Sequence, residues 1–202
     1  MDNYRNTAAG SVQRQKQIED CLYENLLHNS YQNITVADLC RQVGISRKAF
    51  YNYYPNKDAC FCAVLERNIQ NAALTLTGQT SQLKACTDYM EYWKVQKKLL
   101  DIIVRNRLEV LLWQQNMQHV LAEERGIVDM LNTPQIKSDS DILGCYLSIL
   151  LTLLIRWHSR NFDVPAEDIA RKFLRLVYLP VVQAKVKDKE EQMRYFEEIL
   201  EN

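Results

Sequence analysis

The sequence holds few of the residues that interrupt a helix: five glycines and four prolines among 202 residues. No segment sustains the apolar/polar alternation of a half-buried strand, so an all-β architecture is excluded and an all-α fold is implied. Net charge is absent as well, because 25 Lys+Arg cancel 25 Asp+Glu. Any surface that binds an anionic partner must therefore be local. The cysteines at 21, 40, 60, 62, 86 and 145 contain no C-x-x-C pair and no compact disulfide framework, which implies reduced thiols in a cytosol. Cys60 and Cys62 are two residues apart, so on a helix they diverge, and neither lies in sequence near His28, His119 or His158. No metal site and no cofactor are expected. The most apolar run, Ile142 to Trp157, is shorter than a membrane span and holds Gly144, Ser148 and Thr152, while MDNYRNTAAGSVQRQKQIED lacks the apolar core of a secretory signal. The expectation is a soluble, cytoplasmic chain. Paired catalytic carboxylates, a nucleophile elbow and a phosphate-binding glycine loop are all missing, so an enzyme is not expected.

What is present is helical periodicity from end to end, without internal repeats. Ile18, Cys21, Leu22 and Leu26 recur at spacings of three and four, which predicts an amphipathic helix over 11–28. Thr35 followed by Asp38 resembles a capping box and starts a helix over about 35–42. Gly44 supplies the left-handed turn that ends it. Ser46 then caps a third helix that runs to about 54 and stops at Pro55. A longer amphipathic helix is predicted from Asn56–Asp58 to about 77, and further helices over about 81–97, 99–122, 140–160, 165–179 and 185–200. The less ordered breaks are 126–140, around Pro134, and 161–165.

Two short helices joined by a tight turn at Gly44, and preceded by a longer one, form a helix-turn-helix pattern. In such units the second helix enters the major groove with its N-terminal residues toward the base edges. Here it begins with Ser46, Arg47, Lys48 and Ala49. A guanidinium there matches guanine bidentately, an ammonium meets a base acceptor or a phosphate, and a methyl meets thymine. Phe50 and Tyr54, four apart, face the core with Val36, Leu39, Cys40 and Ile45, which leaves Tyr51, Asn52 and Tyr53 toward the nucleic acid. Lys57 begins the next helix, where its charge and the free N–H groups form a phosphate site. Residues 35–57 carry Arg41, Arg47, Lys48 and Lys57 against Asp38, a local charge of 4 − 1 = +3 in a neutral chain.

The stretch T-V-A-D-L-C-R-Q-V-G-I-S-R-K-A-F-Y-N-Y-Y-P-N-K from Thr35 to Lys57 resembles the N-terminal signature of the TetR-type bacterial transcriptional regulators. The match lies at Thr35, Val36, Gly44, Ser46, Phe50, Tyr51, Tyr53, Pro55 and Lys57. Cys40 stands where the family usually has alanine, Tyr54 where it has phenylalanine, Cys60 where leucine is common, and Lys48 where glycine is frequent. By this resemblance Thr35, Ser46, Tyr51, Tyr53 and Lys57 contact phosphates, and Arg47, Lys48, Ala49 and Asn52 face bases. The resemblance implies a helix-turn-helix domain over 1–57 and a helical regulatory and dimerisation domain over 58–202.

In such proteins two long C-terminal helices pair with their counterparts, and the chain from Asp141 to Leu176 looks like that final pair, with a tryptophan-containing turn before a proline-started helix. The nearly all-round apolar character of 140–160 also calls for cover on several sides. A homodimer through residues about 140–180 is expected, reading a palindromic double-stranded DNA operator as a repressor. A small apolar or aromatic effector would sit among Tyr89, Trp93, Trp113, Met117 and Tyr146, with Tyr92 beside them. The same residues are also what an ordinary helical core contains. Arg105, Arg107, Glu109 and His119 are candidate polar anchors, with a solvated face as the other reading. The alternative function is a regulator with a filled C-terminal core that answers to a protein partner. The tail from 186 is amphipathic through Met193, Phe196 and Leu200, and its acidic polar face does not suit anionic lipid.

Overall fold

A computed structural model describes residues 8–76, 81–121, 140–185 and 189–201. All regular structure among these residues is helical: α1 Ala8–His28, a 3-10 turn Tyr31–Asn33, α2 Val36–Val43, α3 Arg47–Tyr53, α4 Lys57–Leu74, α5 Gln82–Val95, α6 Lys97–Arg105, α7 Glu109–Leu121, α8 Ser140–Ser159, α9 Ala166–Lys185 and α10 Lys189–Glu201. The expected break over 126–140 lies, up to residue 139, outside the described residues.

The chain divides into two compact units, 1–68 with 102–112, and 69–101 with 113–202. The first, the head, takes in most of α4 and a segment from the middle of the chain. Its core is made by Ile18, Leu22 and Leu26 of α1, Leu39 of α2, Phe50 and Tyr54, Phe61, Val64 and Leu65 of α4, and Ile102, Ile103, Leu108 and Leu112.

The helix expected over 99–122 is two helices. Asn106 ends α6: its side-chain amide donates to the Ile102 carbonyl at 2.8 Å, and Arg107 takes a left-handed φ of 57°. The Ile102 carbonyl also accepts the Asn106 backbone N–H at 3.1 Å, so the side chain adds a second donor to the last turn, and the left-handed Arg107 turns the chain off the helix. Conversely, α9 runs on past 179, through Pro180. The donor that proline lacks would have served the carbonyl of Leu176, a residue that is half exposed.

The second unit, the body, is organised around α9, which packs on α5, α8 and α10. Ala85, Cys86, Tyr89, Met90 and Trp93 of α5 are buried, as are Leu143, Leu147, Leu150, Leu151, Leu154 and Trp157 of α8 and Ile169, Ala170, Phe173, Leu174 and Val177 of α9. Arg171 pairs with Glu167 on its own helix at 3.0 Å and with Glu197 of α10 at 2.9 Å. Between α8 and α9 the tryptophan-containing turn is closed by Trp157 Nε1 donating to the Val164 carbonyl at 3.0 Å and by Phe162 edge-on to the Trp157 ring at 4.8 Å. That packing holds Asn161 and Phe162 at positive φ (54° and 59°), a region a bulky side chain rarely visits. By length and composition α8, at 20 residues, is apolar enough to cross a membrane, contrary to the expectation from the shorter run. Six of its large side chains are instead buried within the body, as in a core helix.

Candidate nucleic-acid interface

Two caps place the interface. Thr35 is the N-cap of α2: its hydroxyl accepts the Asp38 N–H at 3.2 Å and donates to the Asp38 carboxylate at 2.6 Å. That bond, foremost among several, holds the Asp38 carboxyl below the ordinary carboxylate range, aided by Arg41. Gly44 ends α2 with φ 72°, and the next residue, Ile45, returns its N–H to the Cys40 carbonyl at 2.9 Å. A Cβ at Gly44 would meet nothing within 4 Å, so the backbone conformation alone demands glycine there. Ser46, in extended conformation, then accepts the Ala49 N–H at 3.1 Å and starts α3.

Seven residues give α3 too little length to persist alone, so its orientation comes from packing. Phe50 is fully buried and Tyr54 nearly so, as their spacing predicts. On the opposite side Arg47, Lys48 and Asn52 are exposed, Tyr51 is 53% exposed, and Ala49 and Tyr53 are half-buried. Arg47 and Lys48 have no ion-pair partner among the described residues, whereas Arg41 pairs with Asp38 at 3.1 Å. The positive charge that α3 itself presents is thus that of Arg47 and Lys48.

Lys57 is placed differently from the other phosphate candidates. Its ammonium donates to the carbonyls of Tyr31 and, at 2.7 Å, Ile34, and lies 4.1 Å from the centre of the Tyr31 ring. Burial lowers its pKa, with Asp58 opposing. The ammonium closes the α1-to-α2 connection from beneath, while the Lys57 N–H opens α4, where helical N–H groups have no intrahelical partner. Tyr31 is the centre of this arrangement: its hydroxyl donates to Asp58 at 2.5 Å, its N–H donates to Asn106 at 2.7 Å, and its ring meets Phe61 edge-on at 5.9 Å. Burial first, and Asp58 next, push the Tyr31 phenol far above its ordinary value. Sequence reasoning missed Tyr31 and Asn106 because neither belongs to a local pattern; the bond between them spans 75 residues.

The body residues expected to line a pocket lie on three helices, Tyr89 and Trp93 on α5, Trp113 and Met117 on α7, and Tyr146 on α8. Tyr89 and Trp93, four apart on α5, are fully buried with their rings edge-on at 6.3 Å; burial raises the Tyr89 phenol, and the hydrogen bond from the neighbouring Trp93 indole opposes the rise. Trp113 is 40% exposed and donates to Ser148 on α8 at 3.0 Å. Met117 lies against Gly144, where a Cβ would come within 3.3 Å of its methyl. Tyr146 reaches the Val177 carbonyl of α9 at 3.5 Å. Of the anchor candidates, Arg105 donates to the Leu26 carbonyl in the last turn of α1, so it serves the head.

Residues 24–64 match the family model described as bacterial regulatory proteins, tetR family. The HTH-type transcriptional regulator EthR of Mycobacterium tuberculosis (strain CDC 1551 / Oshkosh) is 38% identical over 73 residues, which is 35% of this chain and 33% of that protein. The chain thus spans about a third of the length of the curated relatives it matches. Among solved structures, the dihydroxyacetone kinase operon activator DhaS is similar over 84% of this chain and 96% of its own, with a TM-score of 0.51 at 16% identity. Thermus thermophilus FadR, described as a TetR-family transcriptional repressor in complex with lauroyl-CoA, is similar over 81% and 92%, with a TM-score of 0.51 at 14% identity. At these identities the likeness is one of fold.

Proposed function

This chain belongs to the TetR family of bacterial regulatory proteins through its head, and from that premise we propose that it is a DNA-binding transcriptional repressor that works as a homodimer on a palindromic operator and releases it on binding a small effector. The observation that carries the reading is the two-sidedness of α3: Phe50 and Tyr54 are buried while Arg47, Lys48, Tyr51 and Asn52 are exposed. Arg47 and Lys48 on the first turn, with Ala49 and Asn52 behind them, would meet base edges in the major groove. Thr35, Ser46, Tyr51 and Tyr53 would hold phosphates, joined by Lys57 through its N–H at the start of α4 rather than through its ammonium. Residues 1–57 would do the reading and 58–202 the pairing and sensing, apart from 58–68 and 102–112, which complete the compact unit of the head.

The outward side of α8 supports pairing through residues about 140–180: Ile142, Cys145 and Thr152 are exposed at helical spacing, and Leu176 of α9 is 50% exposed. A second copy covering these residues would set two α3 helices about one turn of DNA apart, 34–36 Å. Tyr89 and Trp93 support an effector site, because two large aromatic side chains that each carry a polar atom are fully buried in the body, the lining expected of a mostly apolar pocket with a few polar groups. An effector would shift operator occupancy only to the extent that it binds one head spacing better than the other. Selection of duplexes from a randomised library, followed by transcription in vitro from a promoter that carries the selected site, tests the reading. Enrichment of an inverted repeat and lower transcript yield are expected; no enriched sequence would end it.

A further inference from the structure

We propose that Glu19, Tyr54 and Arg67 form a polar relay, centred on the buried Glu19 carboxylate, that fixes the orientation of α3, and that the Tyr54 hydroxyl is a positioning group for sequence discrimination; this rests on the DNA-binding reading above. Glu19 is only 8% exposed, and a carboxylate removed from water in this way needs partners. It has two strong ones from two other elements. The Tyr54 hydroxyl donates to one carboxylate oxygen at 2.6 Å, and Arg67 of α4 donates to the other at 2.6 Å. Arg67 also reaches Asp20, the neighbour of Glu19, at 3.4 Å.

Tyr54 is the residue at which α3 ends, with its N–H returned to the Phe50 carbonyl. Its ring packs 5.9 Å from that of Phe50. A phenylalanine, the usual residue here in the family pattern, would fill the same space. The hydroxyl therefore adds one thing, a directional bond from the end of α3 to a charged group on α1. Apolar contact through Phe50 tolerates small rolls of a seven-residue helix, whereas a hydrogen bond is lost when its angle departs far from linear. With Ser46 holding the first turn and Tyr54 the last, α3 is fixed at both ends.

The consequence is selective. Base contacts by Arg47 or Asn52 depend on angle, so a roll of α3 weakens them. Affinity for any duplex depends on charge neutralisation and hardly on angle. Loss of the relay should thus reduce discrimination while general DNA affinity persists.

The test uses the full chain, Tyr54→Phe, Arg67→Lys and the double variant, with two duplexes at one salt concentration: one enriched by the wild-type chain from a randomised library, the other a scramble of it. Tyr54→Phe is expected to keep its far-UV circular dichroism and to lose about tenfold in affinity for the enriched duplex, as for a hydrogen bond to a charged group. Its affinity for the scramble should change by less than about twofold, because phosphate neutralisation is untouched. Amide hydrogen exchange over 50–54 should quicken several-fold while that of α2 stays constant, and the double variant should lose less than the product of the singles. An unchanged ratio of enriched to scrambled affinity, with unchanged exchange in α3, overturns the relay. If the wild-type chain enriches no sequence, the DNA-binding reading fails, and the exchange rates still decide whether the relay fixes α3.

Discussion

The side-chain oxygen of Asn106 accepts the Tyr31 N–H at 2.7 Å, and this bond ties residues 102–112 into the head although the chain on either side of them belongs to the body. The same side chain donates to the Ile102 carbonyl at 2.8 Å, so one residue both ends α6 and docks its last turn. Arg105 adds a second tie through the Leu26 carbonyl. Asn106→Ala is accordingly expected to cost about 1–3 kcal/mol, the penalty for leaving partly buried polar groups unpaired. Urea unfolding followed by circular dichroism measures it. Asn106→Asp, which keeps the acceptor for Tyr31, should retain part of the stability; an alanine variant with an unshifted midpoint contradicts the docking role.

Lys57 divides stability from DNA contact. Its ammonium holds the carbonyls of Tyr31 and Ile34. Lys57→Met, which keeps most of the apolar stem, should therefore destabilise the head by about 1–2 kcal/mol while leaving the salt dependence of DNA binding nearly unchanged. If the ammonium instead neutralises a phosphate in the complex, the slope of log affinity against log salt would fall by about 1.

These two residues mark where the sequence was legible and where it was not. Caps and turns that depend on neighbours within four residues were readable: Thr35, Gly44 and Ser46 each occupy the predicted role. The inward face of Phe50 and Tyr54 followed from helical spacing. The direction of the Lys57 side chain did not, because the carbonyls it serves lie 23 and 26 residues away. Nor did the split of 99–122, since Asn106 is an ordinary helix residue unless something holds its side chain. The body was readable only as apolar helices, because periodicity says that Tyr89, Trp93, Trp113, Met117 and Tyr146 are partly inward and nothing about which neighbour each one meets.

In the body, His158 Nε2 lies 2.7 Å from Asp101, and Lys97 lies 3.1 Å from the same oxygen. Burial raises the pKa of Asp101, but the hydrogen bonds from His158 and Lys97 outweigh it and hold the carboxyl below its ordinary range. A depressed carboxylate contributes stability that is complete above its unfolded value of about 3.9 and lost as pH falls through the folded one. His158→Gln should thus narrow the stability difference between pH 6 and pH 3. The side chain of Asp101 is 45% exposed, so the effect is at most about 1 kcal/mol. Thermal melts across that range provide the check, with parallel wild-type and variant curves as the contrary result.

The cysteines report on pairing. Burial foremost pushes the Cys60 thiol up to about 12 and raises that of Cys86, so neither should react with a thiol reagent at neutral pH in the folded chain. Cys145 is exposed on the outward side of α8. In a dimer formed through α8 and α9 it should react at least about tenfold more slowly than free glutathione, because access is blocked. Full reactivity of Cys145 at a concentration where sedimentation shows a dimer would place the interface elsewhere.

The most direct measurement is a fluorescence anisotropy titration of the wild-type chain and Arg47→Ala against the duplex enriched by the wild type and against its scramble, at physiological salt. The wild-type chain should prefer the enriched duplex by on the order of 10³ or more. Arg47→Ala should reduce that preference by about tenfold or more, mostly through loss of the enriched duplex. Equal wild-type affinity for the two duplexes, or an Arg47→Ala chain with an undiminished preference, contradicts the assignment of α3 as the reading helix.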